Sequence, residues 1–253
     1  MTASAHGGKL RLDELLVHRG LYASRSRARD AILRGAIRVD GEAIAKPGAL
    51  AGEACKLETI DPAKNYVSRA ALKLITALDH FKFSPEGKNA LDIGASTGGF
   101  TQVLLERGAR HVTAIDVGHG QMHASLLNDS RITNFEGLNA RSLSSEHLGG
   151  RLVSFIVSDV SFISLKLALP NALELAEVGA QCVLLVKPQF EAGRDAIGKG
   201  GLLKDKSLGA LIAAELETWL GMQPGWRALG TCRSPIEGGD GNQEYLLAGV
   251  KDQ

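Results

Sequence analysis

Cysteine is scarce: Cys55, Cys182 and Cys232 are the only three in 253 residues, far apart and in no Cys-x-x-Cys arrangement. That pattern excludes a disulfide framework and a thiolate zinc site, and it fits a reducing cytoplasm. Aromatic residues make up only 5% of the chain, so few rings are on hand for stacking on unpaired bases. No apolar run approaches the ~18 residues of a membrane span, and Met1–Leu10 lacks the apolar core of an export signal. Neither a membrane protein nor general-route secretion is expected. Internal repeats and low-complexity tracts are absent as well. What is present suffices for a packed core: 44% of residues are apolar, in a length that holds one large domain or one domain plus a small module.

The net charge of +1 conceals a split. Residues 1–46 carry nine Lys or Arg against five Asp or Glu, and the remainder carries twenty against twenty-three. In the basic segment, Leu12, Leu15 and Leu16 share a helical face that Gly20 ends. Ser24 is a suitable N-cap for a second helix over Arg25–Arg34, with Ala28, Ala31 and Ile32 inward and Arg25 and Arg29 on one flank. Gly35 stops it. Ile37–Ile44 alternates around Asp40-Gly41, the signature of a tight hairpin, and Ala54–Ile60 adds a last strand. The linker falls around Thr59–Lys64, dividing the chain into a module over 1–60 and a larger domain over 61–253.

The larger domain opens with a helix carrying Ala71, Leu74, Ile75 and Leu78 on its inner face and Lys73 beside them. Strands are predicted over 90–93, 111–116, 131–135, 153–158, 181–187, 226–232 and 244–250. Helices are predicted over 98–107, 120–127, 164–177 and 205–220. Such alternation defines an α/β fold with a parallel sheet flanked by helices. Arg233–Gln243 is too short for a crossover helix, so the final strand pair should be antiparallel.

Ala90-Leu91-Asp92-Ile93-Gly94-Ala95-Ser96-Thr97-Gly98-Gly99-Phe100-Thr101 runs from strand through a glycine-rich turn into a helix. A pyrophosphate turn needs Gly-x-Gly-x-x-Gly, and Ser96 stands at its second glycine. An aspartate ending the strand before Gly-x-x-x-Gly-Gly suits instead a cationic adenosine ligand without phosphates, S-adenosylmethionine. Gly94 and Gly98 leave room for its methionyl part, Ser96 lies in the turn, and Asp92 faces its ammonium. Asp116, ending the second strand, suits the ribose hydroxyls. Asn139 follows the third strand and suits the adenine, and Asp159 ends the fourth. Taken alone, the turn would be only a tight strand-to-helix connection. His119 and His123 have ligand spacing, but without a third ligand they read as a surface pair, and no metal is expected.

Lys73, Asp159, Lys187 and Glu244 each lie at a strand end or in the helix leading into the sheet. A ribose hydroxyl is a poor nucleophile that must be held in line and relieved of its proton, work suited to a lysine between carboxylates. Any one of these residues taken singly would be an ordinary solvated ion pair. Glu237 competes for the last place, but Gly241-Asn242-Gln243-Glu244 leads directly into the final strand.

On these residues the chain resembles the FtsJ-type ribose 2′-O-methyltransferases, whose Lys-Asp-Lys-Glu tetrad matches Lys73, Asp159, Lys187 and Glu244. Asp159-Val160-Ser161-Phe162-Ile163-Ser164-Leu165, Leu185-Val186-Lys187-Pro188-Gln189-Phe190-Glu191-Ala192-Gly193 and Gly241-Asn242-Gln243-Glu244-Tyr245 are similar to the TlyA family, often labelled haemolysins. The resemblance implies a seven-stranded, Rossmann-like class I methyltransferase domain that uses S-adenosylmethionine and acts on ribosomal RNA or a ribosomal subunit. Cytidine 2′-O-methylation is implied, leaning to large-subunit rRNA because this chain looks nearer the family's shorter form. Lys187 would be the proton acceptor, Asp159 and Glu244 would tune and position it, and Lys73 would place the ribose. Ala70-Ala71 and Leu138 depart from the family's usual Gly-Gly and arginine. The loop Gly193–Gly201 is expected either to close on RNA or simply to be exposed.

Residues 9–58 resemble a small α+β S4-type RNA-binding domain, with Arg25, Arg27, Arg29, Arg34 and Arg38 as its RNA face. Such arginines give salt-dependent phosphate contacts and little base specificity. Two other classes remain to be told apart: a membrane-active haemolysin, and a non-catalytic RNA-binding ribosome-assembly factor.

Overall fold

The computed structural model describes residues 8–253; residues 1–7, which bear on the question of an export signal, lie outside the described residues. The chain divides into two compact units between Asn65 and Tyr66.

The first unit contains β1 (Lys9–Arg11), α1 (Leu12–His18), α2 (Arg25–Leu33), β2 (Ile37–Val39), β3 (Glu42–Ala43), β4 (Leu50–Gly52) and β5 (Leu57–Thr59). Leu12, Leu15, Leu16, Ala28, Ala31 and Ile32 meet in one core with Ile37, all at most 1% exposed. Ser24 caps α2 by accepting from Arg27 N at 3.3 Å. Asp40 and Gly41 both take positive φ, 51° and 87°, the turn that joins β2 to β3 without splaying them. β5 pairs with the other side of β2, Ile37 opposite Thr59. One strand pair was not foreseen: Lys9–Arg11, directly before α1, pairs antiparallel with Leu50–Gly52.

The second unit runs α3 (Ala71–Phe81), β6 (Asn89–Ile93), α4 (Gly99–Glu106), β7 (His111–Asp116), α5 (Ala124–Leu127), β8 (Ile132–Glu136) and β9 (Val153–Ser158). It continues with α6 (Leu165–Ala168), α7 (Pro170–Leu175), β10 (Ala176–Val186), α8 (Pro188–Glu191), α9 (Leu208–Gly221), β11 (Trp226–Arg233) and β12 (Tyr245–Lys251). The seven strands lie in the order β11-β12-β10-β9-β6-β7-β8. β6 to β10 are parallel, and β12 is antiparallel to both β10 and β11. Strand order reverses where β6 lies between β9 and β7, so the carboxyl ends of these strands open a crevice.

Alternate residues feed two apolar layers, as strands covered on both faces require. Phe155 and Val157 face Leu74, Leu78, Phe100 and Leu104, whereas Ile156 and Leu184 face Leu169, Leu173, Leu216 and Leu220. Each fully buried Leu or Phe contributes about 1.5–3 kcal/mol relative to exposure.

Three boundaries differ from expectation. The helix foreseen over 164–177 is broken between Leu169 and Pro170, since proline cannot donate within a helix but fits its first turn. β10 begins early, at Ala176, with its register shifted before Gln181. The helix near 120–127 shrinks to α5, because Asp116 and Glu136 accept the amides of Gly118 and Gly120, each at 2.7 Å, and hold that stretch as a loop.

Candidate active site

The turn after β6 is shaped by backbone. Gly94, Ser96 and Gly98 have φ of 80°, 46° and 92°. A Cβ on Gly94 would lie 2.9 Å from the Asp159 carbonyl oxygen, so only glycine lets β9 approach the turn this closely. Gly98 serves packing: a Cβ there would strike Leu126 Cδ1 at 2.4 Å and Met122 Sδ at 2.6 Å.

Beyond the strand ends lies a cavity of about 450 Å³. Gly94, Ser96, Asp116, Asn139 and Asp159 line it, with Val117, Leu138 and Ile163 as an apolar wall. Asp116 accepts from Ser96 N at 2.8 Å and from Gly118 N at 2.7 Å, which fixes its carboxylate at the rim. Ser96 Oγ donates to Gln121 Oε1 at 2.8 Å. Asn139 Oδ1 accepts from Arg141 N at 3.0 Å, capping a short helical turn.

Asp92 and Gly98 do not line this cavity but stand behind it. Asp92 is fully buried: Thr101 Oγ1 donates to its Oδ2 at 2.6 Å, and its Oδ1 has no hydrogen-bond partner. Burial raises this carboxyl to about 7, with the like charge of Asp159 adding and Thr101 opposing.

A second cavity of about 150 Å³ shares Gly94, Ser96, Asp159 and Ser161 with the first and is also bordered by Ser68, Ala70 and Lys187. The four charged residues singled out in the sequence form two buried pairs. Lys187 Nζ lies 2.6 Å from Asp159 Oδ1, and Lys73 Nζ lies 2.5 Å from Glu244 Oε2. Their side chains are 2–17% exposed. Sheet register brings the pairs together: Val186 opposes Tyr245 across the β10–β12 ladder, so Lys187 and Glu244 leave neighbouring strand ends. Glu237, the rival for the last place, is exposed.

Sequence reasoning passed over several residues here. Ser161 Oγ accepts from Lys187 Nζ at 2.7 Å. Phe162 is 90% exposed with φ of 64°, a left-handed backbone unusual for an aromatic residue, and its ring lies 5.0 Å from that of Phe190. Lys187 Nζ in turn stands 6.0 Å from the Phe190 ring centre. The signal was present in Asp159-Val160-Ser161-Phe162, a polar and aromatic run directly after a strand. Among the described residues no group of three His, Cys, Asp or Glu is placed to hold a metal. His119 and His123 are exposed, and His123 caps α5.

In the first unit the five arginines divide. Arg29 is exposed and without a side-chain partner among the described residues, and Arg38 is exposed, donating to Gly41 O at 3.4 Å. Arg25 is half-exposed and bonds Glu14 at 2.9 Å and Asp13 at 3.2 Å. Arg27 leans on the carbonyls of Ala63 and Lys64 at 3.5 and 3.4 Å. Arg34 departs from the expected face: it is 14% exposed and held between Asp30 and Asp61. Asp61 is buried, which would raise its carboxyl, but hydrogen bonds from Arg34 and Tyr22 outweigh burial and hold it below the usual range.

A seven-stranded sheet with an antiparallel β12, and a cavity over the reversal in strand order, define a methyltransferase fold. The chain belongs to the FtsJ-like methyltransferase family, matched over residues 66–251, in its TlyA group with an S4 domain over residues 10–52. It is 44% identical to the "16S/23S rRNA (cytidine-2'-O)-methyltransferase TlyA" of Mycobacterium tuberculosis, covering 94% of this chain and 89% of that one. It is 40% identical to "Hemolysin A" of Brachyspira hyodysenteriae, over 94% of this chain and 98% of the relative. A solved structure from Streptococcus thermophilus, provisionally named a hemolysin, aligns with a TM-score of 0.74 at 38% identity, covering 97% of this chain and 89% of the other. No helix among the described residues is long and apolar enough to cross a membrane.

Proposed function

We propose that this protein methylates the 2′-hydroxyl of a cytidine in ribosomal RNA in the cytoplasm, using S-adenosylmethionine, with large-subunit rRNA the first substrate to test. The observation that carries the reading is the Lys187–Asp159 pair bordering the cavity over the glycine turn, with the Lys73–Glu244 pair at the neighbouring strand end.

The residues present fit that cofactor. Asp92 has a buried oxygen without a partner behind the turn, compatible with a nearby cation, and Asp116 offers carboxylate lone pairs at the rim. Val117, Leu138 and Ile163 suit the faces of an adenine. S-adenosylmethionine supplies a methyl group on a positively charged sulfur. The protein's part is to bring a ribose to it and to take the hydroxyl proton. Lys73, held by Glu244, turns its remaining N–H donors to the ribose. Lys187 Nζ accepts the hydroxyl proton as it passes one of its own to Asp159 Oδ1, 2.6 Å away. Ser161 and the Asp159 backbone steady the amine during that exchange. The exposed Phe162 ring supplies a flat apolar face for the base of an everted nucleotide. Arg25, Arg27, Arg29 and Arg38, on the 1–60 module, provide phosphate contacts.

The test is transfer of labelled methyl groups to ribosomal RNA by wild type, Lys187→Ala and Glu244→Ala, followed by mapping of the modified nucleotide. Losses of roughly 100-fold or more are expected in both variants. Full activity in both would sink the assignment of roles. Cofactor binding without turnover on any ribosomal substrate would favour an assembly factor, and leakage from liposomes without methyl transfer would favour membrane activity.

A further inference from the structure

The segment after α8 is not an untethered loop. Arg194–Ala196 and Lys199–Gly201 form short helical turns, and Ile197 pairs with Leu203 in an antiparallel bridge. Gly198 N donates to Leu202 O at 2.7 Å, and Lys204 N donates to Ala196 O at 3.0 Å. One buried side chain from a distant part of the sequence closes the structure. Asn242, 5% exposed, accepts from Leu203 N at 3.0 Å and donates to Gly201 O at 2.8 Å. A donor on one side and an acceptor on the other permit a single orientation of its amide.

The same residue organises the approach to Glu244. Its carbonyl accepts from Gly238 N at 2.9 Å. A Cβ on Gly238 would lie 2.7 Å from Glu244 Oε1, so the turn closed by Asn242 forms the wall behind that carboxylate. Two residues further on, the Glu244 carbonyl accepts from Ser234 N at 2.9 Å, completing the frame. Loop, turn and carboxylate thus share one hydrogen-bonded clasp.

We infer that Asn242 is a positioning residue for the reaction, fixing the 196–204 loop and the Glu244 carboxylate in a common geometry. The inference rests on the reading of this site as an RNA methyltransferase centre. Removing the amide leaves the Leu203 N–H, in a buried residue, without its acceptor, so the loop opens to regain water. The turn then loses its anchor, and the wall behind Glu244 relaxes away from the Lys73 pair. Small misplacements of a proton-handling group are costly to rate.

Asn242→Ala and Asn242→Asp are compared with wild type by cofactor titration, by tryptic cleavage after the exposed Lys199 and Lys204, and by steady-state methyl transfer to RNA. Cofactor affinity is expected to stay within about twofold, because no Asn242 contact reaches the cavity. Cleavage should quicken roughly 10-fold in Asn242→Ala, and kcat should fall roughly 10- to 100-fold. Asn242→Asp keeps the acceptor for Leu203 and should fall between. Gly238→Ala presses on Glu244 while sparing the loop, so it should lower kcat at an unchanged cleavage rate. Wild-type cleavage and kcat in Asn242→Ala would overturn the inference, as would faster cleavage at unaltered kcat. Loss of cofactor binding in both Asn242 variants would overturn it too, since the residue would then serve the fold at large. Wild-type protein inactive on every ribosomal RNA would sink the functional reading instead, and the cleavage rates would still judge the clasp.

Discussion

Both units bury carboxylates, and they neutralise them with different cations. In the first unit Asp13 is met by Arg11 and Arg25, and Asp61 by Arg34. In the second, Asp159 is met by Lys187 and Glu244 by Lys73. A guanidinium is planar, binds carboxylates in a fixed fork and does not release its proton, whereas an ammonium is a rotatable point charge that does. On the proposed mechanism, arginine is used where charge need only stay, and Lys187 where a proton is to move. Two residues complete the comparison as limiting cases: among the described residues, Asp92 is a buried acid with no cation, and Arg29 a cation with no acid.

Exchanging the cations is the sharpest way to break this contrast. Lys187→Arg keeps the charge and the Asp159 contact but ends proton transfer, so methyl transfer should drop by roughly 10³-fold while cofactor titration changes little. Retention of more than a tenth of the activity would show that Lys187 acts by charge alone.

Asp92 tests what a buried acid costs with a hydroxyl donor but no paired cation among the described residues. Its folded-state value near 7 lies above the 3.8 of an ordinary aspartate, so the folded state holds the proton more tightly. In the cofactor-free protein the Asp92 contribution to stability should therefore be full below about pH 4 and be lost as pH rises from about 4 to about 7, opposite in sign to that of Asp61. Asp92→Asn should flatten that slope and raise the unfolding free energy at pH 8 by up to about 4 kcal/mol. Parallel stability–pH curves in mutant and wild type would refute this.

The reverse exchange, Arg34→Lys, leaves one point charge to serve both Asp30 and Asp61, and should destabilise the first unit by about 1–3 kcal/mol in urea melts. An unchanged midpoint would mean that the fork is dispensable. Arg29→Ala should leave stability alone and reduce the salt dependence of RNA binding by about one ion. An unaltered salt slope would remove Arg29 from the RNA face.

Features written in local chemistry could be read from the chain. Asp40-Gly41 announced its turn, Ser24 its cap, and the short Arg233–Gln243 connection the antiparallel β12. Features that depend on a distant partner could not. Lys9–Arg11 becomes a strand only through Leu50–Gly52, and Arg34 turns inward only because Asp61, from beyond β5, is there to receive it. At the site, residue types and strand-end positions singled out Lys73, Asp159, Lys187 and Glu244. Which lysine meets which carboxylate depends on register, and so does the contact of Ser161 with Lys187. Asp92 shows the limit from the other side: an aspartate near a strand end reads as a ligand contact, and neither its full burial nor its bond from Thr101 could be read from the chain.

The place of β12 between β10 and β11 also constrains the order of assembly. β11 is made before β12 but cannot dock beside β10, because that edge is reserved for the later strand. Until β12 inserts, β10 presents an open ladder of amides and carbonyls, the kind of edge on which chains pair wrongly with one another. The same insertion delivers Glu244 to Lys73 and seats Tyr245 opposite Val186. Closing the vulnerable edge and completing the charge pairs are thus one event, so a nascent or clipped chain lacking that strand would be prone to aggregate and, on the proposed mechanism, inert, leaving no half-built form competent to modify RNA.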